Sequence, residues 1–246
     1  MSRFYCENIE RGLVELDRVE SHHLMHVMRL AVGSHVELFD GKGGLARGIV
    51  AKITKKTASV EIAAVETFEP RVTCRVVIAA AVAKGQRFDL IISKCTELGA
   101  DCIVPLIFER TVKQAAGNSV VDRYKNLSIV AAKQCGRIFL PDLVSPCRLD
   151  SGLEYINERF SQSIRIFGGF GTDAVSVGEV FDAKSDVVAF IGPEGGMTES
   201  EEKKLEESGA VKVGLTETIL RTETASVAFA SILCALRDSF RGFQVR

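Results

Sequence analysis

Hydrophobic and polar positions change period along the chain. Residues 1 to about 70 carry short alternating runs. Val36, Glu37, Leu38 and Phe39 lead into Asp40-Gly41-Lys42-Gly43-Gly44, a turn composition; residues 45–53, a Lys55-Lys56 turn and residues 58–62 follow. Short strands stepped by about 8–12 residues predict a small barrel or sandwich. One helix interrupts them: Val19, His22/His23, His26/Val27 and Leu30 recur at helical spacing, and Gly33 stops the run. Residues 66–71 read as a linker.

From residue 72 strands and helices alternate. Residues 76–82 form a continuous apolar run, as in a strand buried on both faces. Phe88, Ile91/Ile92, Cys95 and Leu98 mark a helix face closed by Gly99, and 102–108 is the next strand. Tyr124, Leu127, Ala131 and Cys135 mark a second helix, closed by Gly136. A shorter helix around 152–160, strands at 164–167 and 187–191, a helix opened by the Thr198/Glu201 capping box, a strand at 211–215 and a final stripe from Ala225 to Leu236 complete the pattern. This order predicts an α/β domain with a mainly parallel sheet. The division expected is a small β-rich domain, 1–70, and an α/β domain, 72–246.

The remaining composition changes this picture little. The chain has 246 residues, 46% apolar and 26% charged, which excludes disordered and low-complexity classes. A net charge of −1 leaves no bulk basic footprint for nucleic acid, although a local patch suffices. Between Lys84 and Arg137 nine Lys/Arg, Lys113 among them, stand against five Asp/Glu, an excess that forms either a phosphate-facing patch or a solvated helix surface. The seven cysteines form no CxxC pair, so neither a disulfide framework nor a zinc ribbon fits. No signal-peptide pattern opens the chain, and no run approaches ~18 apolar residues. A soluble, cytoplasmic protein in a reducing compartment is expected. His22 and His26 have chelating i,i+4 spacing but lack companion ligands, so no metal is expected.

Open α/β sheets bind ligands at the carboxyl ends of their strands, so the loops there carry the candidate chemistry. Gly192-Pro193-Glu194-Gly195-Gly196 follows one buried strand and leads into the capped helix. It matches neither the dinucleotide fingerprint nor the P-loop. It is either a backbone cradle for a cofactor or a tight turn that needs glycine. The loop from Thr216 to Ala225 places Ile219 and Leu220 beside Arg221, as a floor for a planar ligand or as a staple for the last helix. Gly168-Gly169-Phe170-Gly171 is either a third close-approach loop or a flexible one.

These runs carry a resemblance. Phe190-Ile191-Gly192-Pro193-Glu194-Gly195-Gly196 together with Ile219-Leu220-Arg221-Thr222-Glu223-Thr224-Ala225 resembles the paired motifs of the SPOUT-class methyltransferases that act on uridine N3 of bacterial 16S ribosomal RNA. Lys94-Cys95-Thr96-Glu97-Leu98-Gly99, Glu109-Arg110-Thr111, Gln134-Cys135-Gly136-Arg137 and the segments His22 to Leu30 and Phe39 to Gly43 agree with that family. The resemblance runs nearly end to end. It departs at Thr216, where the family usually has glycine, and at Lys133-Gln134-Cys135, where it often has Glu-Gln-Ser.

The resemblance implies an α/β SPOUT fold: a knotted, mainly parallel sheet with helices on both faces, preceded by a small PUA-like β-barrel that grips RNA. It implies S-adenosylmethionine as cofactor, held by Phe167, Gly168, Ile191, Gly192, Glu194, Gly195, Gly196, Leu215, Ile219, Leu220 and Thr224. It implies the small ribosomal subunit and its 16S rRNA as partner, a homodimer, and no membrane or DNA partner. Arg221 is the candidate for stabilising charge on the uracil oxygens and Glu223 for taking the N3 proton, although both also fit structural roles at a helix start. Arg3, Arg29, Lys42, Arg87 and Arg137 are the candidates for RNA contact. The alternatives are ribose 2′-O methylation and a non-catalytic RNA-binding assembly factor.

Overall fold

A computed structural model describes residues 1–111, 118–169, 171 and 174–241. Phe170 of the third glycine loop and Lys113 of the basic patch lie outside them. The chain forms two compact units: Met1–Pro70 with Ala132–Leu140, and Arg71–Ala131 with Pro141–Arg246.

The first unit is built on a five-stranded sheet. Strands β1 (Ser2–Tyr5), β2 (Gly12–Glu15), β3 (His35–Phe39), β4 (Gly44–Ile53) and β5 (Ala58–Thr67) lie in the order β1-β3-β4-β5-β2. β1 runs parallel to β3, and the other pairs are antiparallel. Alternation places Phe4, Val14, Val36, Leu38, Val50 and Val60 in one core, which Leu16 and Leu24 complete. Helix α1 (Arg18–His22) starts on the Asp17 side chain, which accepts from Glu20 N, and widens into a π turn over His23–Val27. The helix therefore ends at Met28, before Gly33, and Arg29 takes φ 52°.

The expected linker is shorter than its composition suggests. Glu66 and Thr67 pair with Leu45 and Gly44, so β5 runs through them. The β4–β5 ladder satisfies their backbone groups, which outweighs the low strand propensity of Glu. Gly43 closes this corner at φ 109°; a Cβ there would press on the Phe68 carbonyl and the Phe139 ring.

The second unit is a parallel sheet covered on both faces. Strands β6 (Val76–Ala81), β7 (Cys102–Ile107), β8 (Asp142–Leu143), β10 (Ile164–Gly168), β11 (Val187–Ile191) and β12 (Val211–Val213) lie in the order β12-β10-β11-β6-β7-β8, and β9 (Cys147–Arg148) also pairs with β7. β6 is buried along its whole length. Its residues alternate between two cores. Val76, Ile78 and Ala80 pack with α2 (Arg87–Leu98), with α7 (Thr222–Arg241) and with Val177 at the start of α5 (Val177–Val180), where Tyr124 of α3 (Asn118–Cys135) also joins. Val77, Ala79 and Ala81 pack with α4 (Leu149–Arg159) and α6 (Glu199–Glu207). Continuous apolar strands are what such two-sided burial requires.

After β6 the chain adds β7 and β8 on one side, then β10, β11 and β12 on the other. The strand order thus reverses between β6 and β11. The crevice outside the carboxyl ends of strands at such a reversal is where open α/β sheets place ligands.

Candidate active site

Four loops meet at that crevice, from the ends of β6, β11, β12 and β7. Arg87, the first residue of α2, ion-pairs with Glu194 of the loop after β11. Arg110, in the turn after β7, donates from Nη1 to the Gly195 carbonyl at 2.8 Å. Thr222, the first residue of α7, donates its hydroxyl to the Gly192 carbonyl at 3.0 Å. The glycine loop is thus held from three sides by its own carbonyls and by Glu194. Gly196 sits at φ 74°, a conformation that glycine adopts without cost.

The helix that follows is anchored in the same way. Thr198 caps α6 by accepting from Glu201 N, and Glu201 returns a carboxylate oxygen to Thr198 N at 2.8 Å. The other carboxylate oxygen of Glu201 accepts from Glu109 N at 2.7 Å. The buried Glu201 therefore ties the capped helix to the β7 turn.

A cavity of ≈ 220 Å³ opens here, lined by Arg87, Glu194, Ile219, Leu220 and Arg221. Ile219 is 84% exposed, an unusual state for an isoleucine in a short loop. Phe167 and Ile191 are buried beneath the loops instead of facing the cavity, and Leu215 packs against the core edge. A Cβ on Gly168 would stand 3.1 Å from the Phe229 ring, so this glycine lets β10 close against α7. Gly195 and Thr224 are exposed.

Glu223 is the most telling residue. It is 9% exposed, and its Oε2 is buried without a hydrogen-bond partner among the described residues. Its Oε1 faces Arg87 Nε at 4.0 Å. A buried carboxylate oxygen left unsatisfied is costly, and native folds seldom keep one without a reason. Nearby in the same core, the Tyr124 ring lies 5.1 Å from that of Phe88 of α2, and burial pushes its phenol up to about 12.

The candidate RNA residues of the first unit are placed differently. Arg29 and Lys42 are exposed. Arg3 is engaged with Glu37, through Nε at 2.7 Å, and reaches the Arg137 carbonyl. His22 and His26 stack at 4.7 Å, and among the described residues no group of His, Cys, Asp and Glu could hold a metal ion. Arg87 belongs to the cavity of the second unit. Arg110 stands in the Glu109-Arg110-Thr111 run, and the one sequence signal for its role is its place directly after a buried strand.

Comparison with known proteins agrees with this architecture. The family model described as RNA methyltransferase domain matches residues 70–234, and that described as RNA methyltransferase PUA domain matches 16–63. The ribosomal RNA small subunit methyltransferase E of Synechocystis sp. is 30% identical, over 95% of this chain and 76% of its own. A solved ribosomal RNA small subunit methyltransferase E from Neisseria gonorrhoeae, bound to S-adenosyl methionine, is 30% identical with TM-score 0.83, covering 96% of this chain and 98% of that one. A methyltransferase from Legionella pneumophila with bound cofactor SAM is 28% identical with TM-score 0.84, covering 95% and 97%. The chain belongs to the ribosomal RNA small subunit methyltransferase E family of RNA methyltransferases.

Proposed function

We propose that this chain transfers the methyl group of S-adenosylmethionine to N3 of a uridine in the 16S rRNA of the small ribosomal subunit. The observation that carries the reading is the buried Oε2 of Glu223, without a hydrogen-bond partner among the described residues, on a side chain that faces the cavity residue Arg87. The family and the SAM-bound relatives supply the chemical class.

The residues fit the cofactor. Glycine loops let backbone amides approach closely, and Ile219 and Leu220 offer apolar surface for a nucleoside base. No phosphate motif is present, as suits a ligand without phosphate. Gly168, Gly192, Glu194, Gly195, Gly196, Leu215, Ile219, Leu220 and Thr224 form its surround, with Phe167 and Ile191 supporting it from below. When bound, the cofactor supplies an electrophilic methyl on a sulfonium.

The chain's own residues do the rest. Uridine N3 is weakly acidic, and its proton passes to Glu223 Oε2 as the N3–methyl bond forms. The negative charge that develops on the uracil oxygens is met by the Arg221 guanidinium. The base must leave any stack to enter the cavity. Residues 1–70 serve as the RNA-binding domain, with Arg3, Arg29 and Lys42, and Arg137 of the Ala132–Leu140 segment grouped with them, toward the phosphate backbone, and 72–246 as the methyltransferase domain, with the trefoil knot and homodimer of the SPOUT class. The setting is the cytoplasm.

Calorimetric titration with S-adenosylmethionine tests the cradle. Wild-type protein binds one equivalent per chain, and Gly196→Val weakens binding at least tenfold, because a branched side chain resists the left-handed conformation at φ 74°. A wild-type chain that gives no binding heat, or an unaffected variant, contradicts the assignment.

A further inference from the structure

Arg87 was expected to contact RNA, on family resemblance and charge. Its surroundings point elsewhere. It opens α2 directly beyond the end of β6, at the point where the strand order reverses. Two carboxylates from different elements converge on it: Glu194 of the glycine loop, in a direct ion pair, and Glu223 of α7, whose Oε1 lies 4.0 Å from Nε. The planar fork of an arginine offers separate N–H groups to two acceptors, whereas an ammonium is a single point charge.

Three consequences follow from this placement. The guanidinium neutralises two acids that would otherwise repel across one crevice. It faces Oε1 of Glu223 at 4.0 Å and so distinguishes the two oxygens of that carboxylate, since Oε2 has no hydrogen-bond partner among the described residues. It also joins the glycine loop to the start of α7, fixing the distance between the cofactor's cradle and the proton acceptor.

We propose that Arg87 is a positioning residue of the transfer reaction: it fixes the orientation of the Glu223 carboxylate and locks Glu194 of the glycine loop to the same frame. This rests on the function proposed above.

The test is steady-state methyl transfer to small ribosomal subunits that lack the modification, at saturating S-adenosylmethionine, for wild type, Arg87→Ala and Arg87→Lys. A misplaced acceptor should lower kcat of Arg87→Ala by about 10²-fold. The KM for subunits should stay within about twofold, with an unchanged dependence on salt, since no phosphate contact is lost. Arg87→Lys keeps the stem and the charge and should fold as wild type, with an intermediate kcat. A thermal melt checks that Arg87→Ala is folded; if it is not, Arg87→Lys carries the comparison. A preserved kcat with a raised KM, and a salt slope reduced by about one, would show phosphate contact and overturn the inference. If the wild type itself transfers no methyl, the underlying function fails instead, so the two failures are distinguishable.

Discussion

At the residue scale, burial sets what each polar group can do. Glu223 keeps one buried oxygen without a hydrogen-bond partner among the described residues, and Glu223→Gln should show what that oxygen is for. The amide retains shape but loses the proton acceptor, so kcat should fall by about 10²–10⁴-fold with S-adenosylmethionine affinity unchanged in calorimetry. An unchanged kcat would remove Glu223 from the chemistry. Burial also sorts the thiols. It raises the Cys95 thiol far above its usual range and the Cys102 thiol to about 12, while Cys135 is exposed at the end of α3. Alkylation at pH 8 of the native protein should therefore label Cys135 quickly and spare Cys95 and Cys102, as peptide mass mapping would show. Much at this scale was legible in the sequence: the glycine loop, Arg221 and Glu223 stand in recognisable runs. The pairing of Arg87 with Glu194 was not, since it joins positions more than a hundred residues apart through the strand order.

At the element scale, local signals worked where local physics decides. The Thr198/Glu201 box opens α6 as its spacing requires, and Gly99 ends α2 at φ 98°. Thr198→Ala should cost about 1 kcal/mol in denaturant unfolding, as loss of a helix cap does. The signals failed where pairing with a distant strand decides. β1 and β2 are too short to show alternation, and the acidic end of β5 looked like a linker because its ladder with β4 is invisible locally. The π turn at His23–Val27 also escaped, since its residues keep an ordinary helical pattern. Here His23 lies beside Lys133, whose ammonium is 2.8 Å from both Glu20 oxygens and 3.3 Å from His23 Nδ1. Burial, and then the Lys133 charge, lowers the His23 pKa from its ordinary 6.5, against the opposing pull of Glu20. A depressed histidine favours the folded state while neutral, so this contribution is present above 6.5 and is lost as pH falls through 6.5 toward the lower folded value. His23→Gln should flatten the fall in melting temperature between pH 7 and 5; a curve that superposes on wild type would contradict this.

At the scale of the whole molecule, the parallel sheet brings together loops that are distant in sequence, and its far side is locked by charge. Arg237 of α7 is 2% exposed, donates to Asp101 Oδ2 at 2.9 Å and to the Gly99 carbonyl, and also pairs with Asp238. Arg71, at the entry to the second unit, approaches Asp101 and Asp238 at 3.6 Å. Removing one member of such a buried network leaves its partners uncompensated, so Arg237→Met should destabilise by about 3–5 kcal/mol in denaturant unfolding. Burial by itself would raise the Asp238 carboxyl, but the hydrogen bond and charge of Arg237, with Arg71, hold it below the usual carboxylate range. Its contribution is accordingly present above the ordinary carboxylate pKa and is lost as pH falls through the depressed value. Sequence periodicity predicted the strand–helix alternation behind this sheet, and the family resemblance supplied the class of enzyme. Neither showed that Ala132–Leu140 packs with the first unit, because a helix that crosses from one unit to the other keeps the same local pattern throughout.

On the function proposed above, the cavity at the strand reversal is where N3 of a uridine in small-subunit RNA is methylated. The most direct measurement incubates the protein with methyl-tritiated S-adenosylmethionine and small ribosomal subunits lacking the modification, digests the RNA and identifies the labelled nucleoside. The account predicts label in 3-methyluridine, abolished or strongly reduced in Arg221→Ala and Glu223→Gln. Label in a 2′-O-methyl nucleoside, or RNA binding with no label at all, would contradict it.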